Sequence, residues 1–285
     1  MSLPIAPVRP VWREPEPLPA GFLHHSIHPD PLLAELLYRR GIGDADAADA
    51  FLSPGRRAAP DPTLLPNMDA AVARVGHAIA REERIGIFGD YDADGVTSAA
   101  LLTIALRAAL GDEQVAVVLP ERAEGYGLNR RGVDALLARG ATLLIAVDCG
   151  SSDHASVAYA REHGLDVVIL DHHRMRDAGP DGAITVSPQL RDDEVCHELT
   201  AAGVAYLLVS ALAREGHPVA GEDERALLDL VALGTVADVA PLTGCNRSLV
   251  RDGIAMLRRT ARPGLRALVA RAGLKPASLT AEDIS

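Results

Sequence analysis

Between residues 84 and 188 the chain alternates short apolar runs with longer amphipathic stretches. The apolar runs are rich in Val, Ile and Leu, which is typical of buried β-strands. Because such strands separated by helices are characteristic of a parallel sheet covered on both faces, the pattern predicts an α/β fold. The predicted strands are 85–88, 114–119, 142–147, 166–170 and 184–187, and the predicted helices between them are 97–110, 131–139 and 152–163.

The two flanks of this region show no strand pattern. Residues 1–30 are rich in Pro and aperiodic, which predicts an extended arm that wraps the domain or is partly disordered. Further helices are predicted at 31–39, 45–52, 67–81, 200–214, 223–233, 246–259 and 264–272, with Asp44 and Asn67 as candidate N-caps. The sequence therefore predicts an N-terminal arm with short helices over residues 1–66 and an α/β domain over 67–285, whose last third is helical.

Composition and charge limit the classes of function that this chain can have. The net charge is −11, which argues against a protein that coats nucleic acid by bulk charge. Several arginines nevertheless occur in adjacent pairs, and their forked guanidinium groups suit the geometry of phosphate. The alternative interpretation is that these pairs are ordinary solvated surface residues. The pairs are Arg39/Arg40, Arg56/Arg57, Arg130/Arg131 and Arg258/Arg259. The three cysteines are far apart and fit neither a disulfide framework nor a zinc motif, which predicts a reducing, cytoplasmic setting. No run of 18 apolar residues occurs, so the sequence predicts no membrane span.

Acidic or imidazole side chains follow three of the predicted strands, either directly or one residue later. The carboxyl ends of parallel strands share one edge of a sheet, so these side chains are expected to lie close together. Clustered carboxylates repel one another unless a cation separates them, and mixed carboxylate and imidazole ligands suit Mn²⁺ and tolerate Mg²⁺. Any single one of them could instead cap a helix or lie on the surface. The residues are Asp90, Asp92, Asp94, Asp148, Asp171, His172 and His173, with Asp238 as a further candidate after a helical pattern.

Four motifs occur in the order found in one phosphoesterase family: GDYDADG, VDCG, DHH and GTVADVAPL. In this respect the chain resembles the DHH phosphoesterases. Three further stretches, LLAELLYRRGI, PERAEGYGL and TAAGVAYLL, resemble the RecJ-type branch, and the likeness covers residues 32–285. It implies a metal-dependent exonuclease that degrades single-stranded DNA in the 5′→3′ direction to nucleoside 5′-monophosphates, in DNA repair and recombination.

The resemblance also implies roles for individual residues. Asp92 and Asp148, with Asp90 added, would hold one metal ion, and Asp148 would bridge to a second ion. That second ion, like the first Mn²⁺ or Mg²⁺, would be held by Asp94, Asp148, His172 and Asp238. His173 would contact the scissile phosphate or protonate the leaving oxygen, so that His173, Asp148 and His172 form the catalytic set. Asp171 would orient an imidazole.

The segment 120–129 carries a separate hypothesis. Arg122 can bind a phosphate with its forked guanidinium, and Tyr126 can stack on a base, which together would hold a single strand. The alternative is structural: Tyr126 packs on the sheet edge and Arg122 pairs with Glu121 or Glu124. The sequence does not decide between them.

The resemblance also implies something about length and partners. RecJ-type enzymes resemble this chain only in their first half, so we expect a fragment or a stand-alone catalytic half with weak or poorly processive activity. Expected partners are single-stranded DNA, and possible ones a single-strand-binding protein and a RecQ-type helicase. Two other functions stay open: a phosphodiesterase acting on short oligonucleotides, cyclic dinucleotides or a small phosphate ester, and a non-catalytic scaffold in replication or repair.

Overall fold

The computed structural model describes residues 13–53, 60–191, 196–219 and 223–285. The first twelve residues of the predicted arm and the Arg56/Arg57 pair lie outside these ranges. The chain divides into two compact units, Met1–Arg57 and Ala58–Ser285. The predicted boundary between residues 66 and 67 stays a prediction.

The first unit is small and helical. Helices α1 (Pro31–Tyr38) and α2 (Ala45–Leu52) lie close to their predicted positions. The side chain of Asp44 accepts a hydrogen bond from the backbone N–H of Ala47, so the predicted cap of α2 is present. A core of four buried residues holds this unit together: Ile27, Ala34, Leu37 and Ala48.

The second unit is built on a five-stranded sheet in the order β2-β1-β3-β4-β5, and all four pairings are parallel. This confirms the predicted fold class. The strand bounds differ from the predictions by at most one residue at either end. The strands are β1 (Ile85–Gly89), β2 (Val115–Val118), β3 (Leu143–Val147), β4 (Asp166–Leu170) and β5 (Ala183–Val186).

The two faces of the sheet carry separate cores, because alternate residues of a strand point to opposite faces. Ile85, Ile87 and Ile145 belong to the larger core. Phe88 and Leu144 belong to the smaller one. Among the helices, α3 (Met68–Ala80), α4 (Ala93–Leu110) and α7 (Ala201–Arg214) pack on the larger core, and α5 (Arg130–Leu137) and α6 (His154–Glu162) pack on the smaller one.

The last third of the unit is helical, as predicted. Helix α8 (Leu228–Ala237) follows a 3₁₀ turn at Glu224–Leu227, so the helix predicted at 223–233 begins and ends several residues later than expected. Helices α9 (Gly244–Leu257) and α10 (Pro263–Arg271) follow. Gly253 of α9 lies against Leu228 and Ala232, where a Cβ atom would clash, so α8 and α9 pack backbone to backbone.

Two local predictions are wrong. Helix α4 begins at Ala93 instead of residue 97, because the side chain of Asp92 caps it by accepting from the N–H of Gly95. Asn67 does not cap α3 with its side chain. Its backbone is left-handed, with φ 61, and its amide donates to the carbonyl oxygen of Thr185 on β5 instead.

The cysteine prediction is also corrected. Cys196 and Cys245 form a disulfide with their Cα atoms 5.2 Å apart, whereas Cys149 is free and buried. The two partners are 49 residues apart in sequence. The start of α9, which contains Cys245, and the segment before α7, which contains Cys196, bring the two residues together. The argument from cysteine usage for a reducing compartment therefore loses its basis.

Among the described residues, α4 is the one helix long and apolar enough to cross a membrane by length and composition, and half of that stretch is buried. Five of its residues belong to the larger core, Ala99, Leu101, Leu102, Ala105 and Leu106. A core helix of this kind passes the same test, so the observation is weak evidence for a membrane span.

Candidate metal centre

The sheet order places a crevice between β1 and β3. Strand β1 has β2 on one side and β3 on the other, and the helices that follow β1 and β3 pack on opposite faces of the sheet. In open α/β sheets, ligands bind at the carboxyl ends of the strands where the connections diverge in this way. Asp90 follows β1 and Asp148 follows β3, so both side chains belong to this crevice.

The acidic and imidazole side chains singled out from the sequence converge here. They form three overlapping groups in which one ligand atom of each member lies within 4.8 Å of the others. The overlap places six of the predicted ligands in one cluster and brings His173 next to it. The groups are Asp90, Asp92 and Asp148; Asp94, His172 and Asp238; and Asp148, His172 and His173.

Asp94 is held by the start of α7. Its carboxylate is fully buried and accepts hydrogen bonds from the backbone N–H groups of Ala201 (2.8 Å) and Ala202 (3.0 Å). A helix N-terminus stabilises negative charge. Burial, with a smaller contribution from the charge of Asp238, nevertheless raises the pKa of Asp94 to about 6, against the lowering effects of His172 and the two N–H groups.

The turn after β1 requires close backbone packing. A Cβ atom on Gly95 would lie 2.5 Å from the carbonyl oxygen of Asp90, so a glycine is needed for α4 to begin so close to the strand. This turn keeps Asp90 buried and turns Asp92 into both a helix cap and a member of the cluster. Burial also raises the pKa of Asp90.

Asp148 is the centre of the cluster. It has a φ of 61, unusual for a residue other than glycine, and its side chain is 1% exposed. Burial, together with the charges of Asp94 and Asp92, raises the pKa of Asp148 to about 10. The alternative in which Asp148 caps a helix does not hold, since α6 begins only at His154.

Buried polar atoms that lack a hydrogen-bond partner indicate whether a metal ion fits this site. Asp90 Oδ1, both carboxylate oxygens of Asp148 and His172 Nε2 are buried without a hydrogen-bond partner in the structure. Orphaned buried polar atoms are rare in proteins and costly unless something satisfies them. His172 Nε2 lies 3.2 Å from Asp148 and 3.7 Å from Asp94. Several carboxylate oxygens and an imidazole nitrogen facing one point fit a divalent cation such as Mn²⁺.

His173 lies at the rim of the cluster and is held by Asp171. Its Nδ1 lies 2.8 Å from Asp171 Oδ1, and this hydrogen bond, with the charge of Asp171, raises the pKa of His173 to about 9. Burial alone would raise the pKa of Asp171, but the contacts from His173 and from the Ser151 hydroxyl lower it to about 2. A pKa of about 9 favours the protonated imidazole at neutral pH.

Segment 120–129 lies at the same edge. The hydroxyl of Tyr126 contacts the carbonyl oxygen of Asp148 (3.2 Å) and His173 Nδ1 (2.9 Å). The guanidinium of Arg122 lies 5.0 Å from the ring centroid of Tyr91. Glu124 pairs with Arg131 instead of Arg122. Tyr126 therefore packs at the sheet edge, as the structural alternative expected, while Arg122 lies against Tyr91. Their roles in binding a strand stay a prediction.

Three residues that the sequence reasoning missed shape the site. Asp153 Oδ2 accepts from the N–H groups of Leu128 (2.7 Å) and Gly150 (3.1 Å), and so ties segment 120–129 to the turn after β3. Ser151 donates to Asp171. Tyr91 lies between two candidate ligands, and the scarcity of aromatic residues in this chain, 3%, was the signal that could have pointed to it.

Comparison with known proteins identifies the class. Residues 84–235 match the DHH family, N-terminal domain, which is more than half of the chain. The chain belongs to the DHH family, as its motifs indicated.

Within this class the chain is similar to RecJ proteins. It is 39% identical over 268 residues to the single-stranded-DNA-specific exonuclease RecJ of Salmonella typhimurium and 38% identical over 253 residues to that of Bacillus subtilis. These alignments take in 89% and 88% of this chain but only 45% and 31% of the relatives. The chain thus spans less than half the length of these relatives.

Two solved structures of RecJ are also similar to this chain. The crystal structure of RecJ in complex with Mn²⁺ from Thermus thermophilus has a TM-score of 0.74 at 31% identity, over 91% of this chain and 36% of that one. A structure of exonuclease RecJ bound to manganese has a TM-score of 0.68 at 36% identity, over 77% of this chain and 55% of that one. The predicted resemblance to the RecJ branch is confirmed.

Proposed function

We propose that this chain is the catalytic core of a metal-dependent exonuclease that degrades single-stranded DNA from the 5′ end to nucleoside 5′-monophosphates in DNA repair and recombination. The observation that carries the proposal is the set of buried, unsatisfied ligand atoms on Asp90, Asp148 and His172. Its RecJ relatives, which are single-stranded-DNA-specific exonucleases, support the choice of substrate. The 5′→3′ direction rests on the resemblance alone.

Two Mn²⁺ or Mg²⁺ ions are part of the proposal. Asp90, Asp92 and Asp148 would hold one ion, and Asp94, Asp148, His172 and Asp238 the other, with Asp148 shared. The grouping of ligand atoms supports this assignment. The ions would neutralise phosphate charge and supply an activated water for attack on phosphorus. Asp90, Asp94 and Asp148 are buried, and burial strengthens the charge interactions of these side chains.

The remaining residues bind and orient the substrate. His173, kept protonated by Asp171, would donate from Nε2 to the scissile phosphate or to the leaving oxygen. Arg122 would bind a phosphate, and Tyr126 would stack on a base while its hydroxyl stays near His173. A cytoplasmic location, with a single-strand-binding protein and a RecQ-type helicase as partners, completes the proposal.

The test is a substrate panel in Mn²⁺. We expect a 5′-labelled single-stranded oligonucleotide to release labelled mononucleotide first, whereas a 3′-labelled one shortens stepwise from the other end. A duplex and a cyclic dinucleotide should resist. Preferred hydrolysis of the cyclic dinucleotide would favour the small-substrate phosphodiesterase. Absence of Mn²⁺ binding in calorimetry would favour the non-catalytic scaffold.

A further inference from the structure

The disulfide between Cys196 and Cys245 joins two segments that both support the metal centre. Helix α7 begins shortly after Cys196, at Ala201, and its first N–H groups bind the Asp94 carboxylate. Cys245 lies at the start of α9, just after the loop that begins at Asp238. Asp94 and Asp238 belong to the same group of candidate metal ligands. The disulfide is therefore a covalent link between the supports of two ligands of one proposed ion.

A hydrogen-bonded side chain next to the disulfide links the same two segments. None of residues 238–244 is buried, whereas Cys245 and Asn246 both are. The Nδ2 group of Asn246 donates to the carbonyl oxygen of Pro241 in this loop, at 3.1 Å, and to that of Glu198 in the segment before α7. The start of α9 thus anchors the exposed loop to the segment before α7 by one covalent bond and by the two hydrogen bonds of one amide.

The backbone next to Asp238 needs such an anchor. Val239 has a φ of 60 and is 82% exposed. A left-handed backbone is unfavourable for a β-branched residue and persists only where the surrounding structure holds it. The exposed side chain of Val239 supplies little of that hold, which leaves it to the two ends of the loop. A relaxed Val239 would shift the Asp238 carboxylate, which lies 3.9 Å from His172 Nε2.

We propose that the Cys196–Cys245 disulfide is a redox switch that holds Asp238 in position to bind metal when it is intact and weakens this site when it is reduced. The inference rests on the proposed function. In a cytoplasmic protein, the location proposed above, a disulfide is usually transient and either redox-sensing or catalytic. The co-reactant is a dithiol. Thiol–disulfide exchange transfers two electrons and two protons from it to the two cysteines, and the dithiol itself becomes a disulfide.

The test compares three forms of the protein: oxidised, reduced with dithiothreitol and then freed of reductant under nitrogen, and the variant Cys196→Ser/Cys245→Ser. Titration of thiols after denaturation verifies the first two forms, with one thiol before reduction, that of Cys149, and three after it. Calorimetry measures the affinity for Mn²⁺. Backbone hydrogen exchange, followed by mass spectrometry without metal, measures local opening of the loop, with α6 on the other face of the sheet as the control segment.

We expect reduction to weaken Mn²⁺ binding about tenfold, the order of effect seen when a support of a metal ligand is lost. Exchange over residues 236–246 should become faster, with little change in α6. The serine variant should match the reduced protein, and dithiothreitol should not change it further although it retains Cys149. Reoxidation should restore Mn²⁺ affinity in the wild type. If the variant does not fold, reduction of the wild-type protein still decides.

Equal Mn²⁺ affinity and equal exchange in the oxidised and reduced proteins would overturn the inference. So would a matching rise of exchange in α6, since the disulfide would then stabilise the fold as a whole. A response of the serine variant to dithiothreitol would also overturn it, because the effect would then lie at Cys149. Absence of Mn²⁺ binding to the oxidised protein would instead count against the proposed function, because exchange without metal tests the hold on the Asp238 loop independently.

Discussion

Charged side chains have different partners at the two ends of the parallel strands, which we call the amino edge and the carboxyl edge of the sheet. At the amino edge, Arg74 lies 2.7 Å from Glu83 and 2.8 Å from Asp166, and Arg161 lies 2.8 Å from Asp166. At the carboxyl edge, Asp148 faces other carboxylates and the imidazole rings of His172 and His173.

The pKa values follow this difference. Burial opposes ionisation of Glu83, but its hydrogen bond to Arg74 lowers its pKa overall. The pKa of Asp148 is raised by burial and by its acidic neighbours. A charge paired within the fold contributes to stability, whereas a charge left unpaired in a crevice is available for a ligand. The comparison therefore separates a structural edge from a binding edge, and substitutions can test that separation.

The largest effect is expected at Asp148. Asp148→Asn removes the charge shared by both proposed metal sites, so Mn²⁺-dependent hydrolysis of single-stranded DNA should fall by more than about 1,000-fold. A labelled-oligonucleotide assay measures this. The matched change Asp166→Asn at the amino edge should leave the rate within about twofold. Similar losses for the two variants would remove the distinction between the edges.

Metal binding should stabilise the protein only through the carboxyl edge. At a Mn²⁺ concentration of 100 times its dissociation constant, the free energy of unfolding should rise by about 2.7 kcal/mol, seen as a higher melting temperature. EDTA should reverse the shift. Without metal, Asp148→Asn should melt higher than the wild type at neutral pH, because the Asp148 carboxyl, with its raised pKa, must take up a proton on folding and an amide need not. The variant should gain nothing from Mn²⁺. A normal Mn²⁺ shift in this variant would contradict the site.

A smaller effect on stability is expected at the amino edge. Arg74→Met keeps the aliphatic stem but leaves Glu83 and Asp166 without this partner, which should lower the free energy of unfolding by about 2 kcal/mol after allowance for partial exposure. Urea denaturation measures the loss, and Arg81→Met, at an exposed position, is the control. The affinity for Mn²⁺ should not change. A loss of metal affinity would show that the two edges are coupled.

The smallest effect is expected at Asp153, whose hydrogen bonds connect segment 120–129 to the turn after β3 at the carboxyl edge. Asp153→Ala removes the acceptor of the Leu128 and Gly150 N–H groups, so the positions of Arg122 and Tyr126 become less defined. KM for single-stranded DNA should rise about tenfold, with kcat within about twofold. Asp153→Asn, which keeps one acceptor oxygen, should restore most of the affinity. A fall in kcat and Mn²⁺ affinity instead would place Asp153 within the metal site.

Much of the fold could be read from the sequence because its signals are local. Strand β4 and helix α2 occur at their predicted bounds, since apolar runs and a capping Asp44 act within a few residues. The local predictions were wrong where a side chain bonds a residue that is distant in the sequence. Asn67 looks like a cap but bonds Thr185, 118 residues away. The Cys196–Cys245 disulfide was missed for the same reason.

For the metal centre, the sequence alone determined the residue types and their attachment to strand ends, because parallel strands bring their carboxyl ends to one edge whatever the details of packing. The tertiary structure decided which atoms stay unsatisfied. The N-terminus of α7 binds Asp94, and Ser151 donates to Asp171, while Asp148 and His172 Nε2 are left facing each other without a partner. Hydrogen-bond satisfaction depends on contacts between segments about 20 to 110 residues apart, and no local pattern records them.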